Sequence, residues 1–319
     1  MKLDSKIYVA GHKGLVGSAI VRRLNFEGFS NIVVRTHNEL DLTDQAQVRN
    51  FFQSERPEYV VLAAAKVGGI YANSSYPADF IYQNIMIEAN VINSSYESRV
   101  KRLLFLGSTC IYPKFSKQPI SEEELLTGRL EPTNEPYALA KITGIKMCEA
   151  YNAQHNTDFR SIMPTNLYGI NDNFHPKNSH VVPALIQRFH QAKLNKERKV
   201  VVWGTGTPMR EFLYIDDMAK ASLFVLKLDK ETYDSNMSEM VSHVNIGTGV
   251  EVSISELANI VKRIVGFEGD LVFDASKPDG SPRKLVDVSI MQNMGWTYTV
   301  ELEDGIAKTY EWYLESLMS

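Results

Sequence analysis

Cysteine is scarce in this 319-residue chain: Cys110 and Cys148 stand in segments of different character, without a CxxC spacing. That excludes a disulfide framework and a thiolate metal set, and points to reduced thiols. The histidines at 12, 37, 155, 175, 180, 190 and 243 show no HxxxH spacing with an acidic partner, so no catalytic metal is expected. Long apolar runs are also missing. Tyr59 to Ala65 is only strand-length, against the roughly 20 residues a bilayer span needs, and no membrane span is expected. Residues Met1 to Gly17 lack the basic-then-apolar order of a secretory signal, which with the reduced thiols points to the cytoplasm. Nor is there an excess of positive charge: 34 Lys and Arg against 38 Asp and Glu give a formal net charge of -4, too little to gather nucleic acid or an anionic membrane. No internal repeat, low-complexity tract or flexible linker is visible.

What remains is an ordinary globular balance, 44% hydrophobic and 23% charged, enough for a sizeable core in one large domain or a large domain with a smaller lobe. Short apolar runs at Ile7–Ala10, Asn31–Val34, Tyr59–Ala63, Leu103–Leu106 and Phe159–Met163 alternate with helical patterns. Runs so continuously apolar suit strands covered on both faces, which predicts a doubly wound parallel α/β sheet with right-handed crossovers. Past Pro164 the texture changes to a loop rich in Asn, His and Pro, a helix near Val182–Lys193 and a strand at Val200–Trp203. Ser253 and Glu256 form a capping box ahead of a helical pattern through Ile264, Pro278 to Pro282 is irregular, and a last helix spans Leu302–Leu317. The expected division is a dinucleotide-binding domain over 1–165, with room for later segments to return to it, and a smaller C-terminal α/β substrate lobe over most of 166–319.

Gly11-His12-Lys13-Gly14-Leu15-Val16-Gly17 follows the first strand directly and opens the helix Leu15–Phe26. Glycine lets the backbone turn tightly and approach a pyrophosphate, whose charge the helix N-terminus favours. A GxxGxxG turn alone is also compatible with a ligand-free βα connection; its place after the first strand favours the dinucleotide. At the end of the second strand, where an acidic residue would meet a ribose hydroxyl, stands Arg35. A cation there suits the 2'-phosphate of NADP, although a solvated strand-end arginine has the same sequence appearance.

Tyr137 and Lys141 form a YxxxK pair on one helix face. A nearby ammonium favours the phenolate, so Lys141 is expected to bring Tyr137 toward neutral titration while holding the nicotinamide ribose. YxxxK alone is weak, but here it follows Ser108-Thr109 at the end of the fourth strand. Residues 108 and 110 of an extended segment face the same side, which places the Cys110 thiol beside the same carbonyl site. A base beside a ketone can enolise it.

The runs Ala63–Ile70, Leu106–Pro113, Glu131–Tyr137, Pro164–Gly169, Asn173–Pro176 and Pro208–Phe212 resemble the GDP-L-fucose synthase family, a branch of the extended short-chain dehydrogenase/reductases, over nearly the whole chain. The resemblance implies a Rossmann domain with a substrate lobe, NADPH/NADP as cofactor, a GDP-4-keto-6-deoxy-D-mannose substrate and a homodimer. It makes Ser108, Tyr137 and Lys141 the reductive set, with Cys110 as base and His180 as acid. It carries cofactor contact beyond the glycine loop and Arg35 to His37, Asp41, Leu42, Leu106, Gly107, Ser108, Thr109, Lys141, Pro164, Thr165, Asn166, Leu167 and His180. For the GDP moiety it points to Arg188, Trp203, Arg210 and Asp279. Taken singly, Arg188 reads equally as a helix-surface charge and Trp203 as core, and Arg283 and Lys284 are left outside the site. The implied reaction is C3/C5 epimerisation followed by C4 reduction to GDP-L-fucose. Alternatives are a GDP-L-colitose synthase, another nucleotide-sugar epimerase or reductase, and a non-catalytic NADP-binding module; the intact five-residue set argues against the last.

Overall fold

The computed structural model describes residues 1–175, 179–238, 241–277 and 279–318. Pro176 and Pro278, read above as parts of a family-like run and of an irregular stretch, lie outside them. The first half alternates as expected: β1 (Ile7–Ala10), α1 (Leu15–Phe26), β2 (Ile32–Val33), α2 (Gln45–Glu55), β3 (Tyr59–Leu62), α3 (Ile70–Ser75), α4 (Pro77–Glu97), β4 (Arg102–Leu106), α5 (Glu135–His155) and β5 (Phe159–Pro164). Then come β6 (Asn166–Tyr168), α6 (Val181–Leu194), β7 (Lys199–Trp203), β8 (Met209–Tyr214), α7 (Ile215–Lys227), α8 (Lys230–Ser235) and β9 (His243–Ile246). The chain finishes with β10 (Glu251–Ser253), α9 (Ile254–Val265), β11 (Asp270–Asp274), β12 (Arg283–Lys284), α10 (Ser289–Asn293) and α11 (Leu302–Ser316).

Six parallel strands form one sheet in the order β2-β1-β3-β4-β5-β9. Successive strand residues point to opposite faces, and the core divides accordingly. Ile7, Val9, Val61, Leu104 and Ile162 join one cluster, whereas Tyr8, Ala10, Val60, Leu103 and Phe105 join the other. The second cluster is closed by α4 and α5, which lie against each other. The first is covered by α1 and α7 and continues into α6, α9 and α11, so the C-terminal lobe shares a core with the sheet.

Only Thr165 separates β5 from β6, and there the chain leaves the large sheet: β6 pairs with β8, the centre of a small sheet ordered β10-β8-β12, while β7 pairs with β11. Ile215–Lys227 and His243–Ile246 then return to the large sheet, β9 lying in register against β5. The capping box at Ser253 and Glu256 is formed, and Gly266, in the left-handed region at φ 72°, ends α9. Among the described residues no helix is long and apolar enough to cross a membrane.

The return of β9 buries polar groups that must be matched. Tyr112 donates to Asn245 Oδ1 (2.6 Å), Asn245 Nδ2 donates to the Ile120 carbonyl (3.0 Å), and the Asn245 N–H donates to Glu122 Oε1 (2.8 Å). Burial pushes the Glu122 carboxyl up to about 7. Its folded-state pKa thus exceeds the unfolded one, so its contribution to stability is greatest below the ordinary carboxylate range and is lost as pH rises through about 7. Glu122→Gln keeps an acceptor for Asn245 and cannot ionise. Its melting temperature relative to wild type should therefore rise between pH 5 and pH 8.5 in calorimetry; a difference constant over that interval would contradict the assignment.

Candidate active site

The parallel sheet brings all its strand C-termini to one edge, and the glycine loop sits where strand order reverses, between β1 and β3. Gly11 has φ 83°, and a Cβ there would lie 2.7 Å from the Ala64 nitrogen. A Cβ on Gly17 would lie 2.1 Å from the Gly11 carbonyl oxygen, so the turn closes only around glycine. Gly14 donates to Gly11 O (3.0 Å) and stands at the N-cap of α1, where no side chain caps the helix. The first-turn N–H groups from Leu15, Val16 and Gly17 are left for an anion. His12 contributes a buried Nδ1 without a hydrogen-bond partner, and Lys13 is exposed.

Beyond β2, Arg35 lies over the Phe51 ring (5.4 Å to the centroid) and pairs with Glu55 Oε1 at 2.5 Å. It is therefore neither a freely solvated charge nor an uncompensated one. His37 is exposed, Asp41 accepts from the Thr43 N–H and hydroxyl (2.9 and 2.7 Å), and Leu42 is buried with its carbonyl accepting from Asn90 (3.0 Å).

At the end of β4 a Cβ on Gly107 would overlap the Met163 side chain. Ser108 is extended, but Thr109–Ile111 form a single 3-10 turn. The expectation that residues 108 and 110 share a side through strand alternation is therefore corrected. They meet because the turn folds the Cys110 N–H back toward Ser108 Oγ (3.4 Å). Cys110 is buried; burial pushes its thiol up, and the Lys284 ammonium and the Ser108 hydroxyl pull it part of the way back. Thr109 is buried beneath the turn.

Tyr137 and Lys141 lie one turn apart on α5, with Lys141 Nζ 5.8 Å from the Tyr137 ring centroid. Lys141 is fully buried, donates to the Leu106 carbonyl (3.0 Å) and stands 3.2 Å from Glu88 Oε1. Here the second expectation is corrected. The Lys141 charge is spent on Glu88, and the Tyr137 phenol is pushed well above its ordinary value by burial, with the Cys110 and Glu88 fields adding to the rise. Pro164, Thr165, Asn166 and Leu167 line the end of β5, where Thr165 N donates to Ile246 O (2.9 Å) and Asn166 Nδ2 donates to Glu211 O (2.8 Å). His180 is the N-cap of α6 and is exposed; surrounding protein lowers its pKa by desolvation, and its neighbour Ser179 approaches the Gly69 loop after β3. No hydrogen bond or ion pair joins His180 to Cys110 or Tyr137 among the described residues.

On the second lobe, β7 alternates exposed and buried, which turns Trp203 outward at 64% exposure and removes the core reading. Arg188 and Lys277 stand 6.0 and 5.6 Å from its ring centroid. Asp279 accepts from Thr205 N (2.9 Å) and Thr205 Oγ1 (2.7 Å), and Gly280 lies against the half-buried Arg210 guanidinium. Two participants stand outside the site expected from the sequence: Lys284, set aside there as a nearby basic residue, and Glu88, not read at all. Lys284 pairs in register with Arg210 across β12 and β8, a placement set by a two-residue strand without periodicity. Glu88 could have been noticed as a carboxylate inside the apolar run Ile85-Met86-Ile87-Glu88-Ala89-Asn90-Val91-Ile92. Surface concavities of about 420 and 370 Å³ lie at the opposite, N-terminal ends of the strands, around His155 and Lys230 and around Lys2 and Glu58.

A parallel sheet with a glycine cradle at its reversal point, and a Ser/Tyr/Lys group at the ends of the neighbouring strands, defines a dinucleotide-dependent enzyme of the short-chain dehydrogenase/reductase type. The chain belongs to the NAD dependent epimerase/dehydratase family, whose profile matches residues 7–247. It is 61% identical to GDP-L-fucose synthase 1 of Arabidopsis thaliana (98% of this chain, 94% of that protein) and 58% identical to GDP-L-fucose synthase of Escherichia coli K12 (98% and 97%). Among solved structures it is similar to a GDP-D-glycero-L-gluco-heptose synthase from Campylobacter jejuni, crystallised in the presence of NADPH, with 41% identity, a TM-score of 0.93 and coverage of 98% of this chain and 99% of that one.

Lys284 generates a prediction about Cys110. Removing its positive field with Lys284→Met should raise the Cys110 pKa further and slow its alkylation by iodoacetamide several-fold at pH 8. Cys148, buried and pushed up to about 12, serves as the unreactive internal control. Peptide-level mass spectrometry reads both sites, and an unchanged Cys110 rate would remove Lys284 from its surroundings.

Proposed function

We propose that the chain converts GDP-4-keto-6-deoxy-D-mannose to GDP-L-fucose, epimerising C3 and C5 and then reducing C4. The observation that carries this reading is a thiol, Cys110, folded against Ser108 in the pocket of Tyr137 and Lys141, so that one ketone can meet both a carbon base and a hydroxyl proton donor. The identity to proteins named GDP-L-fucose synthase supports the same substrate.

The residues fit a dinucleotide: the turn closes without room for a side chain at Gly11 or Gly17 and presents an uncapped helix N-terminus to a pyrophosphate. Arg35, steadied by Phe51 and Glu55, would hold the 2'-phosphate of NADP, and residues at the ends of β4 and β5 would hold its nicotinamide end. NADPH, when bound there, supplies the hydride that reduces C4. The chain's own residues do the rest. The 4-ketone acidifies the hydrogens at C3 and C5; Cys110 removes each as its thiolate, and His180 returns a proton from the opposite face, which inverts the carbon. Ser108 hydrogen-bonds the C4 oxygen. The Tyr137 phenol, held protonated by its raised pKa, donates its proton to that oxygen as the alcohol forms. Arg188, Trp203, Arg210 and Asp279 hold the GDP moiety. In this reading residues 1–165, with the returning α7 and β9, are the cofactor domain and the remainder mainly the substrate lobe, in a cytoplasmic homodimer.

Two outcomes follow. Wild type should prefer NADPH to NADH in kcat/KM, and Arg35→Ala should reduce that preference by about tenfold or more; equal wild-type values for the two cofactors would refute the assignment of Arg35. In deuterated water, wild type should label C3 and C5 and give the L-fucose configuration by proton NMR. Cys110→Ser should give little label while still oxidising NADPH, because a serine hydroxyl is far too weak a base whereas a thiol of ordinary pKa about 8.5 is not. Full labelling by Cys110→Ser would assign the base elsewhere, and a wild type inert toward the keto sugar would overturn the reading.

A further inference from the structure

Among the buried ionisable groups that the mechanism leaves unused, Glu88 stands against the reductive set. Glu88 lies in the middle of α4, 1% exposed, directly behind the helix that carries Tyr137 and Lys141. Its Oε1 is 3.2 Å from Lys141 Nζ, and Lys141 is its only side-chain partner among the described residues. The ammonium is fixed from two further sides, by the Leu106 carbonyl at 3.0 Å and by the Phe105 ring at 4.7 Å. Residue 144 has to be glycine for this arrangement, since a Cβ there would come 2.4 Å from Phe105 Cζ and 2.9 Å from Glu88 Oε2.

As a packing device such a pair is a poor choice. Taking two charges out of water costs more than their attraction returns, and apolar residues of similar volume commonly stabilise the same space better. Removing one partner alone leaves the other's charge buried without compensation. We propose that Glu88 is a positioning residue for Lys141, holding the ammonium against the end of β4 so that it faces the cofactor and Tyr137 in one fixed orientation. This rests on the reading of Lys141 as part of the reductive set. The titratable groups that feel the carboxylate are Lys141, Tyr137 and Cys148, all on α5; Cys110 lies beyond Lys141, and neither α2 nor β3 pairs a charged group with Glu88 among the described residues. Burial pushes the Glu88 carboxyl up to about 7 and Lys141 opposes that rise.

A double-mutant cycle over Glu88→Gln, Lys141→Met and both together tests this on the full-length protein. Two readouts are taken between pH 6 and 9.5: NADPH affinity by fluorescence titration without sugar, and kcat and KM with the keto sugar. Glu88→Gln should lower kcat by about tenfold or more with KM for the sugar little changed. Its NADPH affinity should be about tenfold weaker than that of wild type, because the ammonium is no longer held in one place. In the Lys141→Met background Glu88→Gln should change either quantity by less than about twofold, because its effect passes through the lysine. Additive losses, or a folded Glu88→Gln protein with wild-type kcat and pH profile, would overturn the proposal. If Glu88→Gln alone does not fold, the charge-free double variant should fold and bind NADPH as Lys141→Met does; its failure to fold would make Glu88 a purely structural residue. The NADPH titration needs no sugar, so a wild type that fails to turn over the keto sugar would overturn the substrate reading while leaving Glu88 decided.

Discussion

Much of the site depends on one carboxylate at the junction of the two lobes. Glu211, fully buried on β8, accepts hydrogen bonds from the N–H groups of Thr248 (2.6 Å), Gly249 (2.8 Å) and Val286 (3.1 Å). Its backbone carbonyl accepts from Thr165 and Asn166, where the chain crosses from the large sheet to the small one. The segment after β9, the segment after β12 and the crossing after β5 are thus referred to one residue. Burial raises its carboxyl and the donated hydrogen bonds oppose that rise, the ordinary balance for an anion that replaces its water with backbone N–H groups. Arg210 is its neighbour in sequence and Lys284, paired in register with Arg210, lies two residues before Val286, so the clamp also sets the lysine whose charge acts on Cys110.

The charges around α5 divide the proton chemistry. Lys141 is occupied with Glu88, and Tyr137, half-buried and raised, keeps its proton. That suits a donor to a forming alcohol and would not suit a resting base. Burial raises Cys110 too, but Lys284, the Ser108 hydroxyl and Lys141 offset part of the rise, whereas Cys148, with the Glu88 and Glu149 carboxylates adding to the effect of burial, is carried to about 12. The charges around each, lysines beside Cys110 and carboxylates beside Cys148, therefore separate two buried thiols of one chain that residue type does not distinguish.

The sequence made the large sheet legible wherever strands are apolar and helices begin with recognisable caps. β1, β3, β4 and β5 fall within about a residue of the apolar runs, and α9 starts at its capping box. It was less informative where polar groups are buried. β9 reads His243-Val244-Asn245-Ile246, and its His and Asn are paid for by Tyr112 and Glu122 from a distant loop, so no local pattern announces a sheet strand. α7 has helical amphipathicity, but nothing local states that it returns to α1. The strands β6, β10 and β12 have three residues or fewer and no measurable period. At the site, glycines and the Ser/Tyr/Lys spacing were readable because geometry demands those residue types. The Lys141–Glu88 pair was not, because YxxxK describes one helix face and the partner comes from the helix behind it.

On the proposed reading, the same arrangement constrains the order of events. The hydrogens at C3 and C5 are acidic only while C4 is a ketone; once it becomes an alcohol, no base in the pocket can reach either carbon's proton. A pocket containing both Cys110 and Tyr137 therefore yields a fully inverted product only if proton exchange outruns hydride transfer. The two catalysts sit within one short turn and helix of each other, so distance cannot separate the steps. Relative rates must, and they depend on the fraction of Cys110 that is thiolate and on how closely Lys141 and Tyr137 are aligned when the ketone is presented. Lys284 favours the first against the effect of burial, and Glu88, on the proposal above, sets the second. The balance between epimerisation and premature reduction thereby rests on two charged residues, neither of which carries the reaction itself.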